Sequence, residues 1–173
     1  MKLLFLDHDG VICLSSEWGG RYKKKGYDSN PETPLDIRMD SFNKKAVKVL
    51  NSIIEETGCE IVVSSDWRLR GSLEQMVEMY KIRGIKPPID YTPIMEDFDN
   101  EGYHLLKTCG DYEGIRVNEI NEWLKNHPEV TNWVAVDDMD LSNLDNFVMT
   151  KRPHNEGIKQ SGIKEKIIKF LKD

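Results

Sequence analysis

Short, unbroken apolar runs alternate along the chain with longer stretches whose apolar residues recur at helical spacing. Leu3 to Leu6 is the first such run, and it ends in Asp7-His8-Asp9-Gly10. Ala46, Val47, Leu50, Ile53 and Ile54 then repeat at helical spacing, with Gly58 placed to stop the helix. Ile61-Val62-Val63 predicts a second strand, β-branched throughout. Ser72 followed by Gln75 reads as a capping box, opening a helix with Leu73, Met76, Val77 and Tyr80 on one face and Gly84 beyond it. Ile89 to Met95 offers a third strand, weakened by Pro93. Val117, Ile120, Trp123 and Leu124 line a helix that Pro128 stops. Trp133 to Val136 is a strand ending in Asp137-Asp138, and Phe147-Val148-Met149 a last short one. Ile163, Ile167, Ile168 and Leu171 give a closing helix.

Strands alternating with helices predict an α/β fold, a three-layer Rossmann-like arrangement around a mostly parallel sheet. Continuous apolar runs fit strands covered on both faces. Two stretches, Leu14 to Asp40 and Glu96 to Gly114, fit no regular element, and connections of that length usually serve as lids or binding loops. No repeat, linker or second domain is visible, so residues 1–173 read as one domain. Charged residues make up 31% of the chain with a net charge of −6, which argues against a polycationic surface for long nucleic-acid contacts. Cys13, Cys59 and Cys109 are odd in number and scattered, unlike a disulfide framework or a zinc site, and a reducing, cytoplasmic setting is expected. No stretch approaches the ~20 apolar residues of a membrane-spanning helix, nor is the opening apolar run long enough for a secretory signal.

In open α/β sheets, ligands bind beyond the carboxyl ends of the strands. The first strand ends in Asp7 and Asp9, the second in Ser64 and Ser65, and the acidic one in Asp137 and Asp138. Parallel strands would gather these on one rim. Two unit charges ~4 Å apart repel by about 1 kcal/mol in water and about 4 at an effective dielectric near 20, so converging carboxylates need a cation. The candidate oxygen donors Asp7, Asp9, Asp138 and Asp137 favour a hard ion, Mg²⁺ in particular, which keeps some waters and takes only one or two carboxylates.

Leu-Phe-Leu-Asp-His-Asp-Gly-Val-Ile resembles the first motif of the haloacid dehalogenase-like (HAD) superfamily, Ile-Val-Val-Ser-Ser its second and Trp-Val-Ala-Val-Asp-Asp its fourth, in the family's order. The resemblance implies a phosphoric monoester hydrolase in which Asp7 attacks phosphorus to give an aspartyl-phosphate and Asp9 serves as general acid and base. His8, on the opposite side of the extended segment, is expected to be packed rather than catalytic. Gly10 admits a turn conformation closed to larger residues. A phosphoryl oxygen would be held by Ser64, with Ser65 as the alternative. A fourth-motif carboxylate would share Mg²⁺ with the nucleophile, Asp138 first and Asp137 second. The basic third-motif residue is Arg116 as first choice and Lys107 as second.

One departure stands out: the family often carries another acid four or five positions after the acidic pair, where this chain has Ser142 and Asn143, with Asp140 and Asp145 nearby. Ser-Ser-Asp-Trp-Arg and Arg-Val-Asn-Glu-Ile-Asn-Glu-Trp-Leu resemble a small-cap branch that includes domains of nucleic-acid repair proteins acting on 3′-phosphate ends. Residues 14–40 would then be a small cap or flap, and the substrate a phosphorylated small molecule, a nucleotide or a nucleic-acid end. Arg21, Lys23, Lys24 and Lys25, interleaved with Trp18, Tyr22 and Tyr27, form a basic aromatic patch suited to phosphates and bases. Trp67 and Arg68 are further candidate substrate contacts. No membrane and no stable protein partner is expected. The competing readings are a non-catalytic phospho-acceptor, disfavoured because such receivers place the acidic pair first, and a nucleic-acid-binding module. A calcium loop from Asp138 fails because Asn143 stands where its glycine belongs and Met149 where its glutamate belongs.

Overall fold

A computed structural model describes residues 1–14, 42–95, 111–151, 153 and 155–172. Its strands are β1 (Lys2–Leu6), β2 (Glu60–Val63), β3 (Asp90–Tyr91), β4 (Asn132–Asp137) and β5 (Phe147–Met149). Its α-helices are α1 (Lys44–Thr57), α2 (Leu73–Ile82), α3 (Tyr112–Lys125) and α4 (Ile163–Lys172). The strands lie in the order β3-β2-β1-β4-β5, and every pairing among the described residues is parallel.

The register explains why the strands read as unbroken apolar runs. Leu3 pairs with Glu60 and Trp133, and Leu6 with Val63 and Val136, so β1 is central and both of its faces are covered. Leu4, Leu6, Ile61, Val63, Val134 and Val136 turn to one face and pack with Ala46, Leu50 and Ile53 of α1, Met76 and Tyr80 of α2, and Ile167 and Leu171 of α4. Leu3, Phe5, Val62 and Ala135 turn to the other and meet Val117, Ile120 and Trp123 of α3. This is the three-layer α/β arrangement, Rossmann-like, that the alternation predicts.

Local signals place the helices. Asn43 caps α1 through Oδ1, which accepts from the amides of Lys45 and Ala46, and Gly58 closes it at φ +70°. The Ser72–Gln75 capping box opens α2 as the spacing predicts. Two elements differ from expectation. β3 has two residues rather than seven. Thr92 still donates its amide to Val63, but Pro93 has no N–H to carry the ladder further, and Ile94 and Met95 are exposed. Helix α3 begins at Tyr112, inside a stretch that carries no apolar period, because Asp111 caps it by accepting from the Gly114 amide at 2.9 Å. The small cap expected over residues 14–40, with Arg21, Lys23, Lys24 and Lys25 in its basic patch, lies outside the described residues except at Leu14, and so does Lys107. No helix among the described residues is long and apolar enough to cross a membrane.

Candidate active site

Beyond the carboxyl ends of β1, β2 and β4 lies an open cleft of about 130 Å³ lined by Asp7, Asp9, Ser65, Asp66, Arg116, Asp138 and Met139. Asp7 follows β1 directly, and its amide continues the ladder by donating to Val136. Asp137 is the last residue of β4. Carboxylate oxygens of Asp7, Asp137 and Asp138 all lie within 4.8 Å of one another. Asp7 and Asp137 are buried, and Asp138 is half-buried.

Burial and the neighbouring Asp137 carboxylate hold the Asp7 carboxyl well above its ordinary pKa, against the pull of Arg116 and a hydrogen bond from Ser65. Burial likewise pushes Asp137 up to about 7, with Arg116 drawing it down. Arg116 reaches in from α3. Its Nη1 lies 3.4 Å from Asp7 Oδ1 and 3.2 Å from Asp137 Oδ2, and also donates to the Ser64 carbonyl. Its Nη2 lies 3.1 Å from Asp66 Oδ1 at the cleft mouth. One guanidinium among three carboxylates leaves an excess of negative charge on hard oxygen donors. That donor set fits a divalent hard cation, and Asp7, Asp137 and Asp138 are the residues to hold it.

Other expected site residues take different places. Asp9 is not among those three carboxylates, although it lines the cleft, where its Oδ2 accepts from the Trp67 indole at 3.2 Å. Ser65, rather than Ser64, lines the cleft. Ser65 donates to Asp7, whereas the Ser64 hydroxyl is buried without a partner and its carbonyl serves Arg116. Gly10 adopts φ +77°, and a Cβ there would sit 2.5 Å from Asp138 Oδ2, so the glycine makes room for the carboxylate as well as the turn. Asp140 instead accepts from the Ser142 amide in a local turn, and neither it nor Asp145 joins the three carboxylates.

Trp67 and Arg68 are buried and do not line the cleft. Trp67 is core, packed against His8 and Phe42, with the Arg70 guanidinium 4.4 Å above its ring. Arg68 turns inward to Glu119 at 2.5 Å and to the Thr92 hydroxyl, because a buried guanidinium needs acceptors on several sides. His8 is wholly buried, its Nε2 is 2.6 Å from the Tyr80 hydroxyl, and burial drives its pKa down to about 3, which keeps it neutral.

Glu119 escaped the sequence reading. It is wholly buried between Arg68 and Arg116. The signal was present: Arg116, Glu119, Ile120 and Trp123 occupy positions i, i+3, i+4 and i+7, the core-facing stripe of a helix, so the two charges belong to the buried face.

A parallel sheet carrying an Asp-x-Asp-Gly segment at the end of its central strand and an acidic pair at the end of the neighbouring one is the layout of a HAD-like domain. The chain belongs to the HAD domain family of Swiss Army Knife RNA repair proteins, whose model matches residues 3–160. HAD domains are generally phosphatase-like hydrolases that use Mg²⁺. No curated protein and no solved structure matches the chain.

Proposed function

We propose that this chain is a Mg²⁺-dependent phosphomonoesterase that removes a terminal 3′-phosphate from RNA through an aspartyl-phosphate on Asp7. The observation that carries the reading is the Asp7 carboxylate, buried at the tip of the central strand and within 4.8 Å of two further carboxylates. The RNA end comes from the family's place in RNA repair proteins.

Asp7 supplies the electron pair that forms the new bond to phosphorus as the bond to the ribose oxygen breaks. Asp9 gives that departing oxygen its proton, and the Trp67 indole hydrogen bond keeps the Asp9 carboxyl turned toward the cleft. Asp9 then takes a proton from a water that attacks phosphorus, the Asp7–phosphorus bond breaks, and inorganic phosphate leaves. Arg116 favours the ionised form of Asp7 in opposition to burial and balances charge on the transferring group. Ser65 orients Asp7 through its hydroxyl. When bound by Asp7, Asp137 and Asp138, Mg²⁺ supplies the positive charge that lets a carboxylate meet a phosphate dianion.

The test is phosphate release with Mg²⁺ from 3′- and 5′-phosphorylated oligoribonucleotides, mononucleotides and sugar phosphates. The 3′-phosphorylated strand should be the best substrate, and Asp7→Asn should lower its turnover by at least about a thousandfold. A folded Asp7→Asn variant releasing phosphate at the native rate would overturn the mechanism, and preference for a sugar phosphate would overturn the substrate.

A further inference from the structure

We infer that Glu119 is a positioning residue for the reaction, fixing the Arg116 guanidinium between Asp7 and Asp137 from behind. The inference rests on the reading above, in which Arg116 serves Asp7. Arg116 is a long side chain crossing from α3 to the ends of β1 and β4, and three of its carboxylate partners lie ahead of it, in or beside the cleft. The fourth lies at its back. Glu119 Oε2 is 3.7 Å from Arg116 Nε, one helical turn along α3. Glu119 is itself tethered, because its Oε1 receives Arg68 Nη2 at 2.5 Å and the Met95 amide at 3.4 Å. Arg68 is anchored in turn by the Thr92 hydroxyl at the end of β3.

Charges of alternating sign thus run from the sheet edge to the acidic cluster: Arg68, Glu119, Arg116, then Asp7 and Asp137. Glu119 is 0% exposed and lines no part of the cleft, so it reaches substrate only through Arg116. A buried carboxylate lodged between two guanidiniums could equally hold the fold together, since losing one partner of a buried ion pair is strongly destabilising. The two roles separate by background. A residue acting through Arg116 loses its effect on turnover once Arg116 is changed, whereas a residue that only stabilises the fold costs the same in either background.

The experiment is a double-mutant cycle of Glu119→Gln with Arg116→Lys, which keeps a cation but has no Nε to offer Glu119. In the native background Glu119→Gln should lower kcat/KM by about tenfold or more, and in the Arg116→Lys background by less than about twofold. Equal losses in both backgrounds, or no loss in a folded Glu119→Gln protein, would overturn the inference. Should Glu119→Gln fail to fold, Glu119→Asp keeps the charge while shortening the reach, and the same dependence on background is expected. A second readout is independent of turnover: ¹⁵N relaxation at the Arg116 Nε–H should show greater side-chain motion in Glu119→Gln, because Glu119 Oε2 holds that end through a charge contact at 3.7 Å rather than a hydrogen bond. If the native protein hydrolyses none of the esters, the proposed activity fails and this motion alone decides, unchanged motion counting against Glu119.

Discussion

Replacing Asp137 by Asn tests the electrostatics of the site without any substrate. In the metal-free protein, burial raises the Asp137 carboxyl to about 7, while in the unfolded chain it titrates near the ordinary aspartate value of ~3.9. The native state therefore holds a proton that the unfolded state has released. Stability from this group is full below the unfolded pKa and is lost as pH rises through the folded one. From pH 5 to pH 7 the loss is about 1.4 kcal/mol per pH step, so about 3 kcal/mol, an upper figure because Arg116 and solvent relaxation oppose it. For a chain of this size that corresponds to roughly 6–12 °C in Tm. Asp7 titrates with Asp137, so the loss belongs to the pair. The neutral buried His8 contributes a pH dependence of opposite sign, which is common to both proteins and cancels in their difference. The assay is urea unfolding of native protein and Asp137→Asn in chelator at pH 5, 6, 7 and 8. The native protein should lose stability relative to the variant across that range, and Mg²⁺ at ~100 times its Kd should return about 2.7 kcal/mol to the native protein at pH 8. A stability gap that stays flat from pH 5 to 8 would refute the assignment of Asp137 as a buried carboxyl strained by its neighbours.

Other outcomes follow from the same geometry. Gly10→Ala forces a side chain into φ +77° and against Asp138, so it should cost at least about 1–2 kcal/mol in urea unfolding and weaken Mg²⁺ binding by calorimetry. Unchanged Mg²⁺ affinity would show that Asp138 does not depend on that space. Asp66, 63% exposed, occupies the Arg116 Nη2 that faces the cleft mouth, so Asp66→Asn should tighten inorganic phosphate binding by up to about fivefold, the range of an exposed ion pair. Weaker phosphate binding in that variant would assign Asp66 a supporting role instead.

The sheet was legible because parallel strands buried on both faces must be apolar without interruption, as Leu3 to Leu6 and Ile61 to Val63 are. The rim was legible because strand ends in such a sheet converge, and Asp7, Asp137 and Asp138 converge there. What escaped depended on tertiary partners. Arg68 reads as a candidate substrate contact until Glu119 and Thr92 are seen to receive it. Ser64 and Ser65 are indistinguishable as letters, and the extended backbone at Ser65 turns one hydroxyl to the cleft while the other stays in the protein. Thr92 donates one ladder bond, to the Val63 carbonyl, before Pro93 ends it, which made β3 shorter than its apolar run.

The claim on which the rest depends is that Asp7 becomes covalently phosphorylated. Borohydride reduction during turnover of a 3′-phosphorylated oligoribonucleotide, followed by peptide mass spectrometry, reads this directly, since an acyl phosphate is reduced to the alcohol and a free carboxylate is not. The account predicts homoserine at position 7 only when substrate and Mg²⁺ are both present, and none in Asp7→Asn. Turnover that proceeds with residue 7 recovered wholly as unmodified aspartate, or with the label on Asp9 or Asp138, would contradict it.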